Sequence, residues 1–206
     1  GFYKYTRLAS TEFNLTVPTS VIAREEAGTP NVVGDFRAAL CFMIKDAIGL
    51  KYSTARLETL RKRAESVWAN NSNLHLLGNF CGTRVPIFSF KVTDVNGTAV
   101  HQQLVTRMLS DLHGVQARGG CACAGPYAHR LLGIDRGQSD ALRAAILSGN
   151  EIEKPGGTRL GFSVLMSDDK VDRIIEAVDA VARSPNSERS RYKVDESTAR
   201  FSPAAA

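Results

Sequence analysis

The apolar positions of this chain change period along its length, and those changes mark where helices give way to strands. Between Val32 and Ile48, Val33, Phe36, Leu40, Met43, Ile44 and Ala47 recur every three or four residues, the spacing of one helix face, and Gly49 supplies a stop. Cys41 and Phe42 widen that face beyond one stripe, which predicts burial on two sides. Thr29 suits the cap of this helix and Pro30 its first position. A second helix is predicted from Ser53 to Trp68, with Leu57, Leu60, Ala64 and Val67 inward. Its opposite face carries Arg56, Arg61, Lys62 and Arg63 and reads as solvated surface.

From Leu74 the period drops toward two. Leu74 to Leu77 is a short strand, and Val85 to Val92 alternates more strongly. After the Asn96-Gly97 break, Leu104, Val105, Met108, Leu109 and Leu112 predict a helix from Val100 to Leu112, ended by His113-Gly114. Val115 to Arg118 reads as a brief strand, and helices follow at 127–133 and from Ser139 to Leu147. Pro155-Gly156-Gly157 turns the chain into a strand from Thr158 to Leu165. Ser167-Asp168-Asp169 then caps a last helix whose apolar face is Val171, Ile174, Ile175, Val178 and Val181. Beyond Ser184-Pro185 the polar composition predicts a frayed tail. Strands interleaved with amphipathic helices make an α/β (α+β) layer structure, and the two helices before residue 70 stand outside that pattern.

Composition narrows the class without naming it. The 206 residues hold one substantial core, or one domain and an appendage, and 43% hydrophobic content is ordinary for a globular protein. No apolar run approaches the roughly 18 residues a membrane-spanning helix needs. A net charge of +5, dispersed along the chain, gives no nucleic-acid footprint. Four cysteines in a chain this long make no secreted disulfide framework, so a reducing cytoplasm is the expected compartment. Cys41 and Cys81 read as buried thiols. The first residues, Gly1-Phe2-Tyr3, match neither a start methionine nor a signal peptide, which points to a truncated or processed chain.

The candidate chemistry gathers in one loop. Arg118-Gly119-Gly120-Cys121-Ala122-Cys123-Ala124-Gly125-Pro126 packs a permanent cation, three glycines and two thiols into nine residues. It is either a tight turn with two small core residues or a loop that approaches a ligand closely. Arg118 before Gly119-Gly120, and Arg159 after Gly156-Gly157, stand at strand ends and could converge on one anion; surface ion pairing is the alternative. Cys123, in a glycine loop near Arg118, is a candidate nucleophile of lowered pKa. Cys121, Cys123 and His129 are a weaker metal set, because C-x-C with one histidine lacks the second ligand pair of structural zinc. Gly28-Thr29 before a helix is an anion site or merely a cap.

Three motifs together resemble the class V aminotransferases, fold-type I pyridoxal-phosphate enzymes that include cysteine desulfurases and selenocysteine lyases. They are Glu26-Ala27-Gly28-Thr29-Pro30-Asn31, the loop from Arg118 to Pro126, and Thr158-Arg159-Leu160-Gly161-Phe162. The resemblance runs from about residue 24 to residue 183 and covers the C-terminal half of such an enzyme. It implies that Gly28 and Thr29 bind the phosphate of pyridoxal 5'-phosphate across a homodimer, and that Arg159, aided by Arg118, clamps a substrate α-carboxylate. It also implies that Cys123 accepts sulfur. Residues 1–50 would then be the remnant of a cofactor-binding large domain, 51–184 a small C-terminal domain, and 185–206 a flexible tail. The lysine that holds the cofactor covalently belongs to the family's preceding half, so this stretch alone is expected to be inactive. Cys121-Ala122 stands where many desulfurases carry His-His. Transamination, another lyase reaction or a non-catalytic small domain therefore remain alternatives to carbon–sulfur cleavage.

Overall fold

The computed structural model describes residues 21, 25, 30–79, 82–120 and 125–204, and the chain divides into two units between Tyr52 and Ser53. In the first, helix α1 (Val32–Ile48) keeps the predicted bounds, with Gly49 at φ 81° as its stop. Its cap is Asn31 instead of Thr29: the Asn31 side chain accepts from the Gly34 N–H at 3.0 Å, and Pro30 precedes the cap. Thr29 lies outside the described residues. The expected burial of α1 is not found. None of its residues is buried, Phe36 and Met43 are 69% and 67% exposed, and Cys41 is an exposed thiol. Periodicity says which side chains seek a surface, and the described residues of this unit hold no sheet to provide one. Helix α2 (Leu50–Trp68) starts here and continues into the second unit.

The second unit is an antiparallel sheet packed against helices. Its strands are β1 (Leu74–Leu77), β2 (Ile87–Thr93), β3 (Ala99–Val100), β4 (Arg118–Gly120) and β5 (Gly157–Gly161), ordered β1-β2-β5-β4 with β3 beside β2. Phe88, Phe90 and Val92 of β2 and Leu160 of β5 face the core. They meet Leu60, Ala64 and Trp68 of α2, Leu104, Val105, Met108 and Leu109 of α3 (Gln102–His113), and Val171, Ile175 and Val178 of α6 (Asp168–Arg183). Between β4 and β5 come α4 (Gly125–Leu132) and α5 (Arg136–Leu147). The latter opens with a reciprocal capping box between Asp135 and Gln138.

Several expectations shift for identifiable reasons. The predicted strand from Val115 to Arg118 pairs only from Arg118, because Gly114 (φ 65°) closes α3 and the Val115 N–H still donates to the Leu109 carbonyl. The arginines of α2 are not a solvated face. Arg56 and Arg63 bind Asp168 of α6 at 2.8 and 3.0 Å, while Arg61 is buried between Glu58 and Glu65 of α2 itself. The Arg56 hydrogen bond, helped by Arg63, holds the Asp168 carboxyl below the usual carboxylate range. Residues 192–203, expected to fray, form a hairpin of β6 (Tyr192–Asp195) and β7 (Arg200–Pro203). Tyr192 and Phe201 pack on the core, one aromatic per short strand, and hold a hairpin whose other residues are exposed.

Candidate functional site

Alternation along β2 gives the sheet two unlike faces. While Phe88, Phe90 and Val92 point to the core, Ile87, Ser89 and Lys91 point away from it. The same rule sends Leu160 and Thr158 of β5 inward and Arg159 outward, with Gly157 and Gly161 on either side of it. Register then brings these positions together. Ser89 pairs with Arg159, and Arg159 pairs directly with Arg118. Residues directly opposite in an antiparallel pair project to the same face, so the two arginines that stood apart in sequence share one row.

Both guanidiniums belong to exposed residues, and among the described residues neither has an ion-pair or hydrogen-bond partner. Lys91 is likewise without an acid. The outward strand positions of β1, β2, β4 and β5 include no Asp or Glu. The face is therefore cationic, with Ser89 as a neutral hydroxyl beside the arginine pair. Nothing on it offers a general base of carboxylate type.

The glycines make this geometry possible. A Cβ on Gly156 would stand 2.7 Å from the Gly120 backbone, and one on Gly157 would meet the Phe90 carbonyl and the Leu77 side chain at 3.0 Å. Only bare backbone lets β4 and β5 approach closely enough to pair at Gly120 and Gly157. The row next to the arginines is thus Gly157 and Gly120, without side chains of their own, with Lys91 and its partner His75 further along and the Leu77 side chain against Gly157.

Other candidates are placed as follows. Gly28, Thr29, Cys81, Cys121 and Cys123 lie outside the described residues. Arg118 opens β4, which ends at Gly120, immediately before Cys121 in the sequence. His129 sits on α4, and among the described residues no group of His, Cys, Asp and Glu could hold a metal ion. His75 is hydrogen-bonded to the Thr93 hydroxyl at 3.0 Å, and His101 caps α3 by accepting the Gln103 N–H. No helix is long and apolar enough to cross a membrane among the described residues. Sequence reasoning missed Ser89 and Lys91. The available signal was the strict alternation of Ile87, Ser89 and Lys91 with buried aromatic neighbours, which puts them on the face of Arg159.

Comparison with known proteins adds the context. The family model for class V aminotransferases matches residues 7–174. Among solved structures, the chain is similar to an apo cysteine desulfurase from Thermococcus onnurineus NA1, with 24% identity and a TM-score of 0.58 over 82% of this chain and 35% of that one. It is also similar to the cysteine desulfurase CsdA (S-sulfonic acid) from Escherichia coli, with 23% identity and a TM-score of 0.52 over 79% of this chain and 33% of that one. The chain spans about a third of the length of these structures. No curated protein matches it.

Proposed function

The chain belongs to the class V aminotransferase family with a fold matching part of a fold-type I pyridoxal-phosphate enzyme, and we propose that it is the C-terminal portion of an enzyme cleaving the carbon–sulfur bond of an amino acid. The observation that supports this reading best is the Arg118–Arg159 pair on a sheet face without acids. A planar fork of donors matches a carboxylate with two parallel hydrogen bonds, so Arg159 fixes the substrate through its α-carboxylate. Fixing one end of a small substrate sets the orientation of the bond to be broken. Arg118 stands beside that clamp at the entry to the thiol loop.

The donor set fits an anionic amino acid and has no carboxylate to repel it. Gly28 and Thr29 are assigned to the phosphate of pyridoxal 5'-phosphate, through backbone N–H groups and a hydroxyl ahead of α1. When bound, the cofactor supplies the electron sink for charge developing at the substrate α-carbon. Cys123 acts as a thiolate: it forms a sulfur–sulfur bond with the substrate sulfur as the carbon–sulfur bond breaks. The electron pair returns to carbon, which takes up a proton, so cysteine leaves as alanine and Cys123 retains a persulfide. Residues 1–50 are assigned to the large domain and 51–184 to the small domain. The exposed apolar side chains of α1 support a surface that the rest of the protein, or a second copy in a homodimer, covers.

The test uses the full-length protein loaded with cofactor and supplied with cysteine. Alanine release is expected, and Cys123→Ala should abolish it while a bound-cofactor absorbance persists. Unchanged alanine release in that variant would remove Cys123 from the reaction. One sequence feature favours a second reading. With Cys121-Ala122 where desulfurases often carry His-His, transamination or another lyase reaction on the same fold fits as well, and a keto acid in place of alanine would establish it.

A further inference from the structure

Strands β4 and β5 part company before Arg118. The register that sets Arg118 against Arg159 would, if continued, set Ala117 against Leu160 and Gln116 against Gly161. It does not continue, because the Val115 N–H still donates to the Leu109 carbonyl and holds the chain to α3. A cavity of about 460 Å³ opens at that divergence, lined by Gln116 and Gly161 together with the end of α3 and the first turns of α6. Its size is that of a small-molecule site, roughly 300–1,000 Å³. The floor is apolar: Leu160 is buried, and Val115, Met166 and Ile174 pack on the core beside it.

The rim is cationic. Lys170 and Arg173 of α6 line the cavity one turn apart, His113 lines it as well, and no Asp or Glu does. Like charges one turn apart destabilise a helix, yet nothing offsets these two. Asp168 and Asp172 are drawn to Arg56 and Arg63 on the α2 side, and Asp169, next to Lys170 in sequence, pairs with neither cation. A backbone donor joins them. The Phe162 N–H bonds the Pro86 carbonyl on the β2 side, so alternation along the strand turns the Gly161 N–H the other way, into the gap. It has no partner there among the described residues.

We propose that this cavity binds a small organic phosphate monoester, with its apolar body on Leu160 and Ile174 and its phosphate held by Lys170, Arg173 and the Gly161 N–H. A phosphate monoester carries between one and two negative charges near neutral pH, which two permanent cations match. Leu160 points to the opposite side of the sheet from Arg159, so the site is separate from the arginine face. The assignment does not rest on the role given to Arg159 or on the bond the enzyme breaks.

The experiment measures equilibrium binding to the full-length, cofactor-loaded protein by titration calorimetry, with phenyl phosphate, inorganic phosphate and phenylacetate as probes. Phenyl phosphate is expected to bind at least fivefold more tightly than either of the others. Lys170→Gln and Arg173→Gln, both at exposed positions, should each weaken it about tenfold, the loss of one charge-assisted hydrogen bond, with the melting temperature unchanged. Arg159→Gln should leave it as it was. Phenyl phosphate that binds no better than inorganic phosphate overturns the proposal, because the apolar floor then takes no part. Phenylacetate that binds equally well overturns the choice of a phosphate head. Full affinity in Arg173→Gln, or a loss in Arg159→Gln in its place, puts the anion on the arginine face and overturns the site itself.

Discussion

Trp68 stands edge-on to Phe88, with ring centroids 4.9 Å apart and planes at 83°, and its indole N–H donates to the Ile175 carbonyl at 3.1 Å. One side chain thereby ties α2 to β2 and to α6, with tilted contacts to Phe90 and Phe162 as well. The edge-to-face geometry sets the positive rim of one ring against the negative face of the other. It also seats the strand that carries Ser89 and Lys91 on its outer side.

Trp68→Ala is therefore expected to cost about 3–5 kcal/mol, the range for deleting a large buried aromatic. Trp68→Phe keeps most of the packing and loses the indole hydrogen bond, for about 1–3 kcal/mol. Urea unfolding of the two variants checks this. Equal losses would mean that the hydrogen bond to Ile175 is the whole of the effect.

Gly156→Ala tests the close approach of β4 and β5. Its Cβ would sit 2.7 Å from the backbone of Gly120 and 3.0 Å from the Gln102 side chain, and backbone cannot rotate aside. The expected cost is about 1–3 kcal/mol, typical of overpacking. Gly125→Ala is the control, since nothing among the described residues lies within 4 Å of its Cβ position, and its melting temperature should stay near that of the parent. A Gly156→Ala protein as stable as the control would show that the strands can separate freely.

His101 confers a pH dependence. Its Nδ1 accepts the Gln103 N–H at 3.2 Å, its ring lies 5.3 Å from that of Phe201, and burial lowers its pKa even though Glu153 pulls the other way. The folded protein thus holds the neutral imidazole, while the unfolded chain takes up a proton near the usual value of about 6.5. Stability is complete above that value and falls as the pH drops through it toward the lowered folded pKa. Melting temperatures should decline from pH 7.5 to pH 5.5. His101→Asn, which keeps a capping acceptor, should flatten that decline. An unchanged slope would assign it to another group.

What could be read in advance follows the range of the forces involved. The bounds of α1, the apolar face of α6 and the glycines flanking Arg118 and Arg159 are local signals, complete within a few turns or a few residues. The burial of Arg61, the ion pairs of Arg56 and Arg63 with Asp168, and the C-terminal hairpin are not. Each depends on a partner more than a hundred residues away, on acids drawn from the same helix face, or on one aromatic per strand finding the core. A basic helix face and a polar tail look the same in sequence whether or not such partners exist.

The sequence by itself determined the periods, the stops and the two glycine-flanked arginines, because helix pitch, strand pleat and backbone freedom act over neighbouring residues. Only the tertiary structure decided that Arg118 and Arg159 stand opposite one another, and that Ser89 and Lys91 share their face. That decision lies in strand register. Register is selected by the inward packing of Phe88, Phe90 and Leu160 on Trp68 and its neighbours, and a slip of one residue in any of these strands would have turned that strand's cation to the other side of the sheet.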